Sequence, residues 1–138
     1  MYKRQIFLGP YRAARISPAN SALKKDIKFT LHHDAPVAGI SMLSVVAAAV
    51  NRMTSDNNEL GPEEKITPFQ ALKAITADSA WQYFEEDRKG TLEVNKFADL
   101  VILSDDPLEI EPSKITEIKV LETVKEGKTI FKVTPILK

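Results

Sequence analysis

Residues 27–37 read Ile27-Lys28-Phe29-Thr30-Leu31-His32-His33-Asp34-Ala35-Pro36-Val37. The alternation of apolar and polar side chains from Ile27 to Leu31 predicts a β-strand, and Asp34 follows at the strand exit. Because aspartate is a poor strand residue, its position needs a reason. Carboxylates at the carboxyl ends of barrel strands bind metals or move protons, whereas a carboxylate that caps a loop does neither. This segment alone leaves both explanations open.

The two histidines of the chain lie directly before this aspartate. Because side chains alternate along a strand, His32 and Asp34 are predicted to face one side and His33 the other. A zinc site needs three or four protein ligands, and the chain has no cysteine and no further histidine. A complete metal site within one copy of the chain is therefore not expected.

The composition predicts a soluble, cytoplasmic protein. The length of 138 residues fits one ordinary domain. Lys+Arg and Asp+Glu balance at 19 each, which favours neither a nucleic-acid partner nor an anionic membrane. The apolar run Ile6–Leu8 is too short for a signal peptide, and the run Val45–Val50 is too short for a membrane span.

The first half of the chain, to about residue 84, has a helical pattern apart from the strand before Asp34. Helices are predicted from Pro18 to about Lys25, over Met42–Arg52, and over residues 67–84. The third helix begins with a capping box of Thr67 and Gln70 around Pro68, and a second capping signal at residues 78–79 predicts that it is broken into two helices. Trp81 and Phe84 are predicted to pack in the core.

The second half, from about residue 90, is predicted to be a small β unit. Leu92 and Val94 alternate with polar residues, and strands are predicted over residues 100–103, 118–124 and 128–133. The last two strands flank Glu126-Gly127, which is a hairpin signal.

Several segments, in this order, resemble the C-terminal end of metal-dependent amidohydrolases. The subgroup is that of N-substituted formamide deformylases and exoenzyme-regulator-like proteins. The resemblance covers nearly the whole chain, and it rests on the segments IFLGP with RAARISP (residues 6–10 and 12–18), FTLHHDAPV (29–37), LGPEEKIT with QAL (60–67 and 70–72), KGTLEV (89–94), KFADLVIL (96–103) and DP (106–107).

The resemblance implies a fold of class α/β plus β. Residues 1–88 would form the last β/α units of a (β/α)₈ barrel, and residues 89–138 would form part of a composite β-sandwich domain. It also implies that Asp34 binds a divalent metal, zinc by default in this family, or takes a proton from the metal-bound water as the catalytic carboxylate. His32 and His33 are further candidate metal ligands because they lie beside Asp34, and the resemblance assigns them no role.

Two positions depart from the family pattern. His33 stands where a small residue is usual, which places an extra imidazole beside the site. Asn95 stands where glycine is usual. Because asparagine tolerates the left-handed backbone conformation better than most residues, the turn at Asn95 is predicted to be kept.

The family's other metal ligands have no counterpart here, and a full barrel needs ~250 residues. The expectation is therefore a C-terminal fragment of a hydrolase that acts on non-peptide C–N bonds of small amide-like substrates. It is expected to be inactive as an isolated chain, to lack nucleic-acid and membrane partners, and to pair with the rest of a barrel or with itself. The alternative is a non-catalytic regulatory or interaction module derived from the same fold.

Overall fold

The computed structural model describes residues 2–134. Its elements are five α-helices, two 3₁₀ turns and three strands. The helices are α1 (Tyr2–Ala14, kinked at Gly9), α2 (Ala19–Leu23), α3 (Met42–Asn51), α4 (Pro68–Ile75) and α5 (Ala77–Gln82). The 3₁₀ turns are Pro62–Glu64 and Pro112–Glu117, and the strands are β1 (Leu100–Leu103), β2 (Val120–Lys125) and β3 (Lys128–Lys132).

The three strands form one antiparallel sheet in the order β1-β2-β3. The predicted hairpin at Glu126-Gly127 is confirmed, and both turn residues have positive φ, 49° and 75°. The side chain of Asp99 accepts a hydrogen bond from the Glu126 N–H at 2.7 Å, which ties the turn to the start of β1. Two positive φ values suit a two-residue hairpin turn, since they match the right-handed twist of the strands.

Helix α4 begins as its sequence predicts. The Thr67 hydroxyl accepts a hydrogen bond from the Gln70 N–H at 3.2 Å, and the Gln70 side chain accepts one from the Thr67 N–H at 2.8 Å. The helix ends at Ile75, and α5 begins at Ala77 after Thr76, whose backbone is not helical. The capping box and the division into two helices are both confirmed, but the break lies at Thr76 and not at the predicted cap of residues 78–79, which are inside α5.

The core joins helices from the first half to a 3₁₀ turn from the second half. Its buried members are Ala19, Val46, Ala47, Val50, Ile66, Ala71 and Ile115. Ile115, which is fully buried, comes from the turn Pro112–Glu117 and packs with residues of α3. The two segments predicted to be separate domains therefore share this cluster.

Three local predictions do not hold. Residues 27–33 are extended but belong to no strand, because no neighbouring strand lies beside them in the described part of the chain. Trp81 and Phe84 are 40% and 90% exposed rather than buried, since α5 ends at Gln82 and the chain turns at Phe84 with φ of 58°. Leu92 and Val94 are also exposed, and no strand includes them.

The prediction for Asn95 is confirmed, since its φ is 72°. A hydrogen bond closes the loop of residues 88–97, which contains Asn95: the Phe97 N–H donates to the Arg88 carbonyl at 2.8 Å. Asparagine thus takes the left-handed conformation that the turn requires.

Among residues 2–134, no helix is long and apolar enough to cross a membrane.

The carboxylate of Glu64 is buried and caps the N-terminus of α2. It accepts a hydrogen bond from the Ser21 N–H at 2.8 Å and another from the Ser21 hydroxyl. Burial by itself raises the pKa of Glu64, but the Ser21 hydrogen bonds and the charges of Arg52 and Lys24 outweigh it, so the pKa lies below its ordinary value. The carboxylate therefore connects the turn Pro62–Glu64 to α2.

Replacing Glu64 with glutamine is expected to lower the free energy of unfolding by about 1–2 kcal/mol at pH 7, since a charge-assisted hydrogen bond is weakened. A carboxylate whose folded pKa is lowered stabilises the fold above its unfolded pKa, and this stabilisation is lost as the pH falls through the folded pKa. The difference between Glu64→Gln and the unchanged chain should thus shrink below about pH 4.5. Urea unfolding, followed by circular dichroism at pH 7 and at pH 3, measures the difference in free energy of unfolding between the two chains at each pH.

The control is Glu63→Gln, since Glu63 is the exposed neighbour of Glu64. An equal loss of stability in both variants would contradict the capping role.

Candidate functional site

The extended segment before Asp34 is anchored to α5 on one side. The Lys28 ammonium lies 4.4 Å from the centroid of the Trp81 ring. Two residues further along, the Thr30 hydroxyl donates to the side-chain oxygen of Gln82 at 2.7 Å. The end of α5 therefore contacts two alternate residues of this segment.

On its other side, the segment packs against the core. Phe29 and Leu31 are partly buried and contact the core cluster of α2, α3 and α4. The alternation of side chains expected of a strand is thus present from Lys28 to Leu31, although ladder hydrogen bonds are not.

Both backbone edges of this segment are open within the described residues. No N–H or C=O group of residues 28–33 bonds to another backbone group between residues 2 and 134. Extended backbone with unpaired edges is a template for pairing with another strand. The backbone groups of residues 28–33 are without a backbone partner in the part of the chain that the structure describes.

Asp34 stands at the end of the anchored segment, in solvent. Its φ is 55°, so the alternation of an ideal strand does not extend to it, and the predicted common face of His32 and Asp34 does not follow. Its carbonyl accepts the Val37 N–H at 2.8 Å, which closes a turn directly after it. Aspartate is among the few residues that adopt a left-handed conformation readily, and the carboxylate is exposed.

The two histidines have different surroundings. His32 lines a mostly apolar cleft of about 180 Å³ between α2 and α3, whose walls include Ile16 and Arg52 but not Asp34. His33 is half-buried, and its Nδ1 accepts a hydrogen bond from the Ala35 N–H at 3.2 Å. A neutral imidazole that accepts at Nδ1 carries its proton on Nε2, so this bond and coordination through Nε2 exclude each other.

Within residues 2–134, no group of three or more His, Cys, Asp or Glu side chains is placed to hold a metal ion. An exposed aspartate is nevertheless the kind of oxygen ligand that a divalent metal uses. An exposed carboxylate such as that of Asp34 could supply at most one ligand, so the residues described here do not form a metal site by themselves.

Arg52 organises the backbone around the cleft, and the sequence gives no signal for this role. It follows α3 with φ of 56°. Its side chain donates to the carbonyls of Ile16 at 2.7 Å, Ser17 at 2.9 Å, Leu60 at 2.9 Å and Ala14 at 3.3 Å. Burial lowers the pKa of Arg52, against the opposing effects of nearby carboxylates. All these contacts are to backbone, so Arg52 acts as a structural residue.

The sequence matches the Amidohydrolase family over residues 3–131. The chain belongs to the amidohydrolase family. Among its relatives, the N-substituted formamide deformylase of Arthrobacter pascens is 28% identical over 113 residues, which are 82% of this chain and 21% of that protein. Protein LONG AFTER FAR-RED 3 of Arabidopsis thaliana is 34% identical over 126 residues, or 90% of this chain and 21% of that protein.

The fold is also similar to part of a solved structure. An amidohydrolase from Thermotoga maritima MSB8 superposes with a TM-score of 0.62 at 23% identity, over 83% of this chain and 26% of that one. The chain spans about a fifth of the length of the relatives that it matches.

Proposed function

We propose that this chain forms the C-terminal part of a metal-dependent hydrolase of non-peptide C–N bonds, in which Asp34 is the catalytic carboxylate. The observation that carries the proposal is the position of Asp34, exposed at the end of a segment that is anchored on both faces. Membership of the amidohydrolase family and the likeness to a formamide deformylase support the reaction class.

Asp34 has the chemistry for proton transfer. Its exposed carboxylate takes the proton of the attacking water and passes it to the leaving nitrogen of the amide. A divalent metal, zinc in this family, would be held in part by Asp34, and it supplies Lewis-acid polarisation of the amide carbonyl and of water. His32 and His33 are further candidate ligands, although His32 lines a cleft that does not include Asp34 and the Nδ1 of His33 accepts the Ala35 N–H.

The isolated chain is proposed to be inactive. The open edges of residues 28–33 are where the neighbouring strands of a barrel would pair, and the remaining ligands of a metal site would come with those strands. We propose that the rest of a barrel covers these edges, and that the chain alone covers them by self-association.

We propose that residues 1–88 are part of a barrel and that the sheet within residues 89–138 is part of a β-sandwich, with Ile115 of the second segment packed into the core cluster of the first. Val101, Thr123 and Phe131 lie opposite one another across the three strands. Val101 and Phe131 are about half exposed, so one face of the sheet is apolar and open to a second sheet.

Metal removal tests the proposed reaction. The native gene product that carries these residues is dialysed against a zinc chelator and assayed for amine release from simple N-alkylformamides. We expect activity to be lost on chelation and restored by zinc, and residues 1–138 alone to be inactive. Activity that survives removal of all bound metal would refute metal dependence.

The interaction module remains the second candidate, favoured by the same open edges and by the apolar sheet face. Only the hydrolase requires Asp34. A module would bind its partner equally well with aspartate or asparagine at this position, whereas the hydrolase would lose turnover.

A further inference from the structure

Helix α5, which contacts the anchored segment, is itself fastened to α4. The Lys73 ammonium donates to the Asp78 carboxylate at 2.6 Å, and Asp78 is only 8% exposed. The Ser79 hydroxyl donates to the Ala74 carbonyl at 3.0 Å. Both contacts cross the non-helical residue Thr76, so they fix α5 relative to α4 across the break between the two helices.

The chain after α5 also packs closely against this helix. A Cβ placed on Gly90 would lie 2.6 Å from the Ala80 Cβ and 3.1 Å from the Ala77 Cα. Because only a residue without a side chain allows the backbone to approach this closely, Gly90 is required at this contact. Two elements, α4 and the segment at Gly90, therefore hold α5 in place.

The end of α5 contacts two alternate residues of the anchored segment through their side chains. The side-chain oxygen of Gln82 accepts a hydrogen bond from the Thr30 hydroxyl at 2.7 Å, and the Lys28 ammonium lies 4.4 Å from the centroid of the Trp81 ring. Neighbouring strands of a barrel would pair with the backbone edges of this segment, whereas side chains stand roughly perpendicular to a sheet. The two contacts with α5 are therefore compatible with pairing at both edges.

We propose that Thr30 and Gln82 are positioning residues, which fix the orientation of the turn that carries the Asp34 carboxylate. This inference rests on the proposed hydrolase function. Leu31 packs against the core and Thr30 is bonded to α5, so contacts on two faces oppose rotation of the segment about its own axis. Asp34 lies four residues after Thr30 and would move with such a rotation. A displacement of about 1 Å at a reacting group can lower a rate by up to about 10²-fold.

The test is a pair of substitutions at Thr30 in the native gene product. Thr30→Val keeps the β-branched shape and removes the hydroxyl, whereas Thr30→Ser keeps the hydroxyl. For hydrolysis of a simple N-alkylformamide, we expect kcat of Thr30→Val to fall about three- to ten-fold with KM unchanged, and Thr30→Ser to retain most of the kcat. Gln82→Met should show the same loss as Thr30→Val, and the double variant no further loss, because each change removes the same hydrogen bond.

Thr91→Val provides a matched control. The Thr91 hydroxyl also makes an exposed hydrogen bond to a side chain, the Glu93 carboxylate at 2.7 Å, and it lies outside the anchored segment. Thr91→Val should retain the full kcat. An equal loss in Thr91→Val and Thr30→Val, or a Thr30→Ser variant as slow as Thr30→Val, would overturn the proposal.

Hydrogen exchange, measured by NMR on the native gene product, separates this inference from the proposed reaction. The Val37 N–H donates to the Asp34 carbonyl at 2.8 Å, so its exchange rate reports on the turn at Asp34. Faster exchange at Val37 in Thr30→Val, but not in Thr30→Ser or Thr91→Val, would support the positioning role even if no formamide is hydrolysed. Unchanged exchange in both Thr30→Val and Gln82→Met would overturn it even if hydrolysis is observed.

Discussion

Replacing Asp34 with asparagine is expected to lower the kcat of the proposed hydrolase by about 10²–10⁴-fold, because an amide side chain cannot take the proton of the attacking water. Asparagine has nearly the same shape and also adopts the left-handed conformation, which Asp34 has at φ of 55°. The fold should therefore be unchanged. Initial rates of amine release, measured beside the thermal unfolding midpoint of each variant, check both expectations.

Asp26 provides a matched control. It is also exposed, with φ of 54°, and it lies on the turn before the anchored segment. Asp26→Asn should retain full activity. If Asp34→Asn is as active as Asp26→Asn, the catalytic assignment is wrong and the interaction module becomes the better account.

Replacing Gly61 with alanine is expected to lower the free energy of unfolding by about 2–5 kcal/mol. Gly61 has φ of 58°, and a Cβ placed there would lie 2.0 Å from the carbonyl oxygen of Ala14 and 2.9 Å from its carbon. The left-handed conformation costs an alanine about 1–2 kcal/mol, and the overlap with backbone adds about 1–3 kcal/mol. Relief of this clash requires the backbone near Ala14 to move away, and Arg52 holds that backbone in place.

Gly127→Ala separates the two contributions, because Gly127 has φ of 75° but nothing within 4 Å of the added Cβ. Urea unfolding should show a loss of about 1–2 kcal/mol for Gly127→Ala and a clearly larger loss for Gly61→Ala. Equal losses of stability in the two variants would contradict the close packing of Gly61 against the Ala14 backbone.

The elements that the sequence predicts well are those specified by neighbouring residues. The capping box of Thr67 and Gln70 needs only a separation of three residues and is present as predicted. The hairpin at Glu126-Gly127 and the turn at Asn95 are likewise set by which residues tolerate positive φ. In each case the interaction lies within a few residues of the chain, so the local sequence is sufficient.

The features that the sequence does not predict depend on distant residues. The apolar pattern of residues 27–31 indicates a strand, but a strand needs a neighbour, and none lies beside it in residues 2–134. Trp81 is a large aromatic residue of the kind usually found in a core, yet it lies at the surface against the Lys28 ammonium. Arg52 donates to the Leu60 carbonyl and to three carbonyls of the distant residues 14–17, and no short pattern marks such a role.

For the candidate site, the sequence nominates Asp34 but does not predict its surroundings, and its role stays a prediction. The motif and the family resemblance point to this residue, whereas its left-handed backbone and the turn to Val37 emerge only in the fold. The different surroundings of His32 and His33 also depend on the fold, because α2 and α3 form the cleft beside His32.

Native mass spectrometry of the gene product, purified from its source cells without denaturation, tests the central claim most directly. The proposal predicts a polypeptide several times heavier than 15.4 kDa, in keeping with relatives about five times as long as the matched segment, and it predicts bound zinc or another divalent metal. A native polypeptide of 15.4 kDa without metal would contradict the claim that these residues work as part of a metal-dependent hydrolase.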